Sequence, residues 1–227
     1  MDKHKKATLF NVGLLLLVCV GGIIIAYILN NNPAWLKRWT HSNFGTLVKP
    51  QVEIKTNGLV KLDPKKENSD ISKLPPESLK RYWTYVTLSP SNCDNVCLRN
   101  LHYQLRVRLT QGQHIYQVRV LYIVTDTKEL KTLLAKAGKF PDLHFALVTP
   151  AVKTSFLAQF KLKATDNPIT QQRIYLLDPP GNLMMYYKPY KGDARDFTLP
   201  TGMKKDLAKL IKTNRYSYPK TKKGDQK

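Results

Sequence analysis

Apolar positions fall into three regimes along this chain: one unbroken run near the N-terminus, a polar stretch, and then short clusters whose spacing alternates between strand and helix periods. Residues 7–29 carry no charge and are dominated by Leu14-Leu15-Leu16-Leu17-Val18 and Ile23-Ile24-Ile25. About 23 residues of this kind span roughly 34 Å as a helix, enough for a bilayer core. The run is longer than the apolar region of a cleaved signal peptide, and no small-x-small site precedes the Asn30-Asn31-Asn32-Pro33 break. It therefore reads as an uncleaved transmembrane anchor behind a tail of residues 1–6, with Trp35 and Trp39 at interfacial depth.

Between Thr40 and Ser78 the chain is polar and carries Pro50, Pro64, Pro75 and Pro76 and a charged run at Lys65-Lys66-Glu67. Residues 30–78 read as a linker with short edge strands over residues 51–55 and 59–62. From Leu79 the pattern is dense. Aromatic and β-branched runs predict strands over 81–88, 116–124, 143–148, 173–177 and 183–187. Asp178-Pro179-Pro180-Gly181 supplies the turn between the last two.

Helices follow from i, i+3, i+4 spacing. Leu98, Leu101, Leu105 and Leu109 define one, with Arg99, Arg106 and Arg108 between them. Leu130, Leu133, Leu134 and Ala137 define a second, capped by Asp126 or Thr127 and ended by Gly138. Residues 151–160 give a third, and 202–214 a closing helix around Leu207, Ala208, Leu210 and Ile211. The order βαβαβαββα predicts an α/β domain over 79–214, its sheet mostly parallel with a terminal antiparallel hairpin. Residues 215–227 form a basic tail expected to be disordered.

Charge changes the picture of partners. Lys and Arg number 37 against 16 acidic residues, a formal net charge of +21. That favours anionic lipid head groups or an acidic partner surface. No zinc-finger, homeodomain or RNP-type motif accompanies it, so nucleic acid is not expected. Lys3, Lys5 and Lys6 precede the span, while Lys37 and Arg38 follow it, so flanking charge orients it only slightly. We place the short tail in the cytoplasm and the domain outside the inner membrane of a bacterium, in the periplasm, where disulfide chemistry persists.

The candidate chemistry is concentrated in Cys93-Asp94-Asn95-Val96-Cys97, at the passage from the first strand of the domain into its first helix. A helix start favours a thiolate, and a spacing of four places both sulfurs on one side of its first turn. The pair is suited to thiol–disulfide exchange, to a structural disulfide, to holding Cu(I), or to packing as two buried thiols. Asp94 opposes the thiolate charge. Cys19 lies inside the anchor and reads as a lipid-facing or packing residue. No Gly-rich phosphate loop, Ser-His-Asp set, paired catalytic carboxylates or multi-cysteine zinc pattern is visible.

The element order, the cysteine pair at the first strand-to-helix junction and the Asp-x-x-Gly turn resemble the thioredoxin superfamily. Within it, the Cys-x-x-x-Cys spacing of Cys93 and Cys97 and the stretch Ile174-Tyr175-Leu176-Leu177-Asp178-Pro179-Pro180-Gly181 resemble the Sco/SenC family. That resemblance implies a thioredoxin-like fold and a membrane-anchored protein of thiol-redox or copper delivery in cytochrome c oxidase assembly. Its partner would be an oxidase subunit or another copper or thiol protein. It implies Cys93 as the attacking thiol and Cys97 as the resolving one. No cofactor is required, and Cu(I) is the candidate cargo of the two sulfurs.

Two departures bear on that reading. The family's third copper ligand, a histidine, falls at or near Thr170, and Asp166-Asn167-Pro168-Ile169-Thr170-Gln171-Gln172 contains none. Asp94 stands where the family commonly has proline. Pro168 occupies the loop from which a cis-proline faces the cysteines in thioredoxin folds, or is an ordinary trans loop proline, and Pro168 and Thr170 form the supporting loop of the expected site. His4, His41, His102, His114 and His144 are placed poorly to replace the missing ligand. The expectation is a thiol–disulfide oxidoreductase. The competing reading is an assembly scaffold with a structural Cys93–Cys97 disulfide, and a weaker third is a peroxiredoxin-like enzyme.

Overall fold

The computed structural model describes residues 3–31, 43–62, 72–73, 79–88, 93–126, 128, 135, 140, 142–192 and 196–213. The chain divides into two compact units, residues 1–42 and 43–227. The first contains helix α1 (Lys3–Asn31). Its segment Asn11–Ile28 is long and apolar enough to cross a membrane. Leu17 and Ile23 are each 70% exposed, and apolar residues occupy all sides. A helix of this kind has no single face to bury, a pattern that suits a membrane span.

The second unit is built on one eight-stranded sheet. Its strands are β1 (Thr46–Glu53), β2 (Leu59–Leu62), β3 (Ser72–Lys73), β4 (Trp83–Leu88), β5 (Val118–Val124), β6 (Leu143–Val148), β7 (Ile174–Leu177) and β8 (Asn182–Tyr187). They lie in the order β1-β8-β7-β4-β5-β6-β2-β3. The five strands expected after Leu79 are all present, with bounds shifted by no more than two residues. The expectation of a mostly parallel sheet is corrected. Only β4·β5 and β5·β6 pair in parallel, and the other pairings are antiparallel. The β7–β8 hairpin docks beside β4, and strands from the segment read as a linker extend both flanks, β1 outside β8 and β2 outside β6.

Strand β1 also begins earlier than the 51–55 expected, and it contains Pro50. Proline cannot donate to a ladder, so a strand that holds one belongs at an edge or a bulge. Both apply: β1 is the edge strand, and its register with β8 shifts between Leu47 and Val52.

Among the described residues, three helices cover the sheet: α2 (Asn95–Leu109), α3 (Lys153–Ala158) and α4 (Thr198–Thr213). Alternation along the strands divides the core into two faces. Val118, Val120, Tyr122 and Val124 of β5 pack with α2 and α4, while Leu121 and Ile123 pack with Phe156 and Phe160 on the other side. Helix α2 starts at Asn95, with Asp94 as its cap, so that Cys93 precedes the helix and Cys97 lies in its first turn as expected. Its buried face differs from the leucine spacing. Leu109 is 59% exposed, and Cys97, Asn100 and Gln104 are buried with Leu101 and Leu105.

The third expected helix is shorter: a 3-10 turn at Pro150–Val152 runs into α3. Helix α4 begins four residues before Gly202, where the Asp196 carboxylate accepts the Thr198 amide at 2.7 Å. Gly202 falls inside it because the Phe44 ring lies against its Cα, leaving no room for a side chain. The expected helix over 130–137, the interfacial Trp35 and Trp39, and the basic tail lie outside the described residues.

Candidate functional site

Strand β4 carries the chain to the end of the sheet where the cysteines sit. Its six residues are all buried, as befits a strand with neighbours on both sides and helices on both faces. Beyond Leu88 the chain reaches Cys93, then enters α2, and Cys93 and Cys97 are joined as a disulfide with Cα atoms 5.2 Å apart. Both are buried, Cys93 7% and Cys97 2% exposed, in the core cluster between the sheet and α2. Of the alternatives open in the sequence, this form is the disulfide. Cys93 is the more exposed residue by a small margin.

The start of α2 is organised by Asp94. Its backbone is extended, its carbonyl accepts the Leu98 amide at 3.0 Å, and its Oδ1 accepts the Cys97 amide at 2.9 Å. An N-cap carboxylate of this kind satisfies one of the unpaired amides of a helix start. The same bond withdraws that amide from any thiolate nearby. The expectation that Asp94 works against thiolate charge thus gains a second cause, occupation of the donor.

Neighbouring strands complete the surroundings. Thr87 of β4 pairs in register with Tyr122 of β5, and both side chains meet α2. The Tyr122 hydroxyl lies 3.3 Å from Cys97 Sγ. Two helical turns further on, Gln104 Nε2 donates to Thr87 Oγ1 at 2.8 Å and to the Asn100 carbonyl at 3.1 Å. On the other flank, Asn100 Oδ1 accepts the amide of Tyr190 at 3.3 Å, and the Arg99 guanidinium stands over the Tyr190 ring at 5.8 Å. The segment after β8 is thus fixed to the cysteine-bearing helix.

The loop over 161–173 reaches the same end of the sheet, because Ile174 of β7 pairs with Thr87 of β4. Asp166 organises this loop. It is buried, and its carboxylate accepts from the Arg173 guanidinium at 2.7 Å, Gln171 Nε2 at 3.0 Å and the amides of Leu162 and Lys163 at 3.2 Å. Hydrogen bonds from Gln171 and Arg173 hold its carboxyl at about 2, below the ordinary 3.8.

Residues 83–214, more than half of the chain, match the family described as the transmembrane-like, thioredoxin-like, C-terminal domain. The chain belongs to that family. In a comparison with curated proteins, nothing matches. Among solved structures, this thioredoxin-like family member is similar to copper-bound yeast Sco1, with 16% identity, a TM-score of 0.52, and coverage of 73% of this chain and 96% of that one. It is similar to apo Sco1 of Thermus thermophilus, with 13% identity, a TM-score of 0.52, and coverage of 75% and 98%. It is also similar to BsSco, described as a Sco-family cytochrome c oxidase assembly protein with a disulfide switch, at 15% identity, a TM-score of 0.50, and coverage of 74% and 99%. At these identities the likeness is one of fold.

Pro168 is buried, but the Asn167–Pro168 bond is trans; the cis bond among the described residues is Lys49–Pro50. Thr170 is exposed, its amide donating to Asn167 Oδ1 and its hydroxyl to the Asn167 carbonyl. The histidines lie elsewhere. His102 is on the exposed side of α2 beside Phe140, His114 is in the turn before β5, and His144 is an exposed residue of β6. The side chain of His4, and His41 as a whole, lie outside what is described.

The donor set bears directly on copper. In this form the sulfurs are bonded to each other, and the position of the third ligand presents a threonine hydroxyl turned to its own loop. Such a set does not fit Cu(II), which needs imidazole or thiolate donors. Sequence reasoning missed Tyr122, Gln104 and Asp166 as parts of these surroundings.

Proposed function

We propose that this protein is a membrane-anchored thioredoxin-like thiol–disulfide oxidoreductase, acting through Cys93 and Cys97 in the assembly of a respiratory cytochrome oxidase. The observation that carries the reading is the bonded cysteine pair at the β4–α2 junction, backed by a buried hydroxyl. Reduction would give two thiols, one just before α2 and one in its first turn, and reoxidation by a partner would restore the bond. Cys93, the more exposed residue, would carry the mixed disulfide and Cys97 would resolve it. The oxidase-assembly role is supported by the fold shared with BsSco, and the periplasmic side of a bacterial inner membrane by the anchor and the disulfide.

Copper handling would require prior reduction and would then rest on two thiolates, with any further ligand from the partner. The second reading, an assembly scaffold with a permanent disulfide, is favoured by the burial of both sulfurs and by the Asp94 cap. One experiment separates the three: equilibrate the full chain in glutathione redox buffers, then titrate the reduced form with Cu(I), using a Cys93→Ser/Cys97→Ser control. Cycling in the glutathione buffer without stoichiometric copper binding supports exchange. One-to-one binding that the control abolishes supports copper delivery. A pair that never opens supports the scaffold and removes the exchange reading.

A further inference from the structure

We infer that the Tyr122 hydroxyl is the donor that stabilises Cys97 as a thiolate when the disulfide opens, making Cys97 the leaving sulfur and Cys93 the sulfur that carries the partner. The inference rests on the exchange reading above and assigns a residue to it.

The argument begins with what a thiolate at Cys97 would meet. That side chain is 2% exposed and lies in a cluster that includes Leu101, Val120 and Val124. Charge in such surroundings is costly unless a donor is already in place. The usual donor at a helix start is the backbone amide, and here the Cys97 amide is bonded to Asp94 Oδ1. The Tyr122 hydroxyl, on a fully buried strand residue, lies 3.3 Å from Cys97 Sγ. A disulfide sulfur accepts hydrogen bonds weakly and a thiolate strongly. The contact therefore gains strength as the S–S bond breaks, which is the condition for lowering a barrier rather than stabilising the starting state.

The step balances as follows. A thiolate of a partner dithiol attacks Cys93 Sγ, forming a mixed disulfide. The Cys93–Cys97 bond breaks, and its electron pair stays on Cys97 Sγ, which accepts the Tyr122 O–H. The partner's second thiolate then attacks the partner's own first sulfur, closing the partner's disulfide and releasing Cys93 as a thiolate. The two protons lost by the partner thiols return to Cys93 and Cys97 through solvent. The partner is oxidised by two electrons and the pair is reduced by two.

The test uses the full chain in detergent micelles, with Tyr122 as found, replaced by Phe, or replaced by 3-fluorotyrosine, a stronger donor of the same shape. Opening is followed under excess dithiothreitol, and glutathione, a monothiol, is used to trap and map the mixed disulfide. Loss of a hydrogen bond to a developing charge should slow opening of Tyr122→Phe roughly tenfold. The fluorinated protein should open faster than the natural one, and glutathione should be found on Cys93. A role confined to packing predicts no such ordering by donor strength. Opening of Tyr122→Phe within about twofold of the natural rate, or glutathione on Cys97, overturns the inference while leaving exchange intact. A natural protein that neither reagent opens removes the exchange reading and this inference with it.

Discussion

Asp166 and Arg173 form an ion pair of 2.7 Å with both side chains largely shielded from solvent, closing the loop that leads into β7. The bond spans seven residues and leaves the Asp166 carboxylate with further donors from Gln171 and two backbone amides. Its folded carboxyl titrates at about 2 against an ordinary 3.8. A depressed carboxyl contributes stability above the ordinary value, and the contribution is lost as pH falls towards the folded one. Asp166→Asn should therefore lower the urea midpoint at pH 7, and the gap to the natural protein should close between about pH 4 and 2. Urea titrations across that range check it; a gap independent of pH would show that the charge on Asp166 is not what holds the loop.

Asp94 carries two effects that one substitution separates. Asparagine caps a helix as well as aspartate but brings no charge. Asp94→Asn should leave thermal stability within about 0.5 kcal/mol and raise the alkylation rate of the reduced Cys93 thiol at neutral pH severalfold. Iodoacetamide kinetics read by peptide mass give the second quantity and thermal unfolding the first. An unchanged rate would mean that the carboxylate does not oppose thiolate formation.

Asp206 is buried on α4 and accepts the amides of Phe44 at 3.0 Å and Gly45 at 2.7 Å. Two amides lose their acceptor in Asp206→Ala, and the cost should be about 2–4 kcal/mol. Hydrogen exchange at residues 44 and 45 should accelerate before that of β4 or β5, because the loss is local to the start of β1.

A side chain at Gly202 would run into the Phe44 ring. Gly202→Ala should destabilise by about 1–3 kcal/mol through overpacking. Combining it with Phe44→Leu should recover part of the loss, so that the double variant is more stable than the sum of the single effects predicts. Additive losses in chemical denaturation would place the strain elsewhere.

Much of this was legible in the sequence where one physical signal dominated. Strands β4, β5 and β7 are short apolar runs buried on both faces, which makes them hard to mistake, and β8 shows the alternation of a half-buried strand. The cysteine junction was legible because strand and helix periods meet there. Other features depended on partners far along the chain. Asp206 falls on the apolar stripe of α4, in step with Leu199, Met203 and Leu210, so an acid out of place was a readable signal, but its partners lie 161 and 162 residues away. Tyr122 looked like one more apolar residue of β5 until the β4·β5 register put it beside Thr87 and under α2. The flanking strand β1 was misjudged because its side chains are mostly exposed and it carries a proline, so it shows neither alternation nor an apolar run.

The grip of Asp206 on Phe44 and Gly45 also decides how mechanical load would enter the folded unit. Residue 43 opens that unit, and a pull arriving there meets two short hydrogen bonds and a ring lodged against Gly202 before it reaches the β1–β8 ladder. Tension from the N-terminal side is thereby passed first to α4, a helix packed on the sheet. The disulfide belongs to the β4–α2 junction, on the fourth strand from the β1 edge, and meets that load only through the packing of α4 in the core it shares with α2.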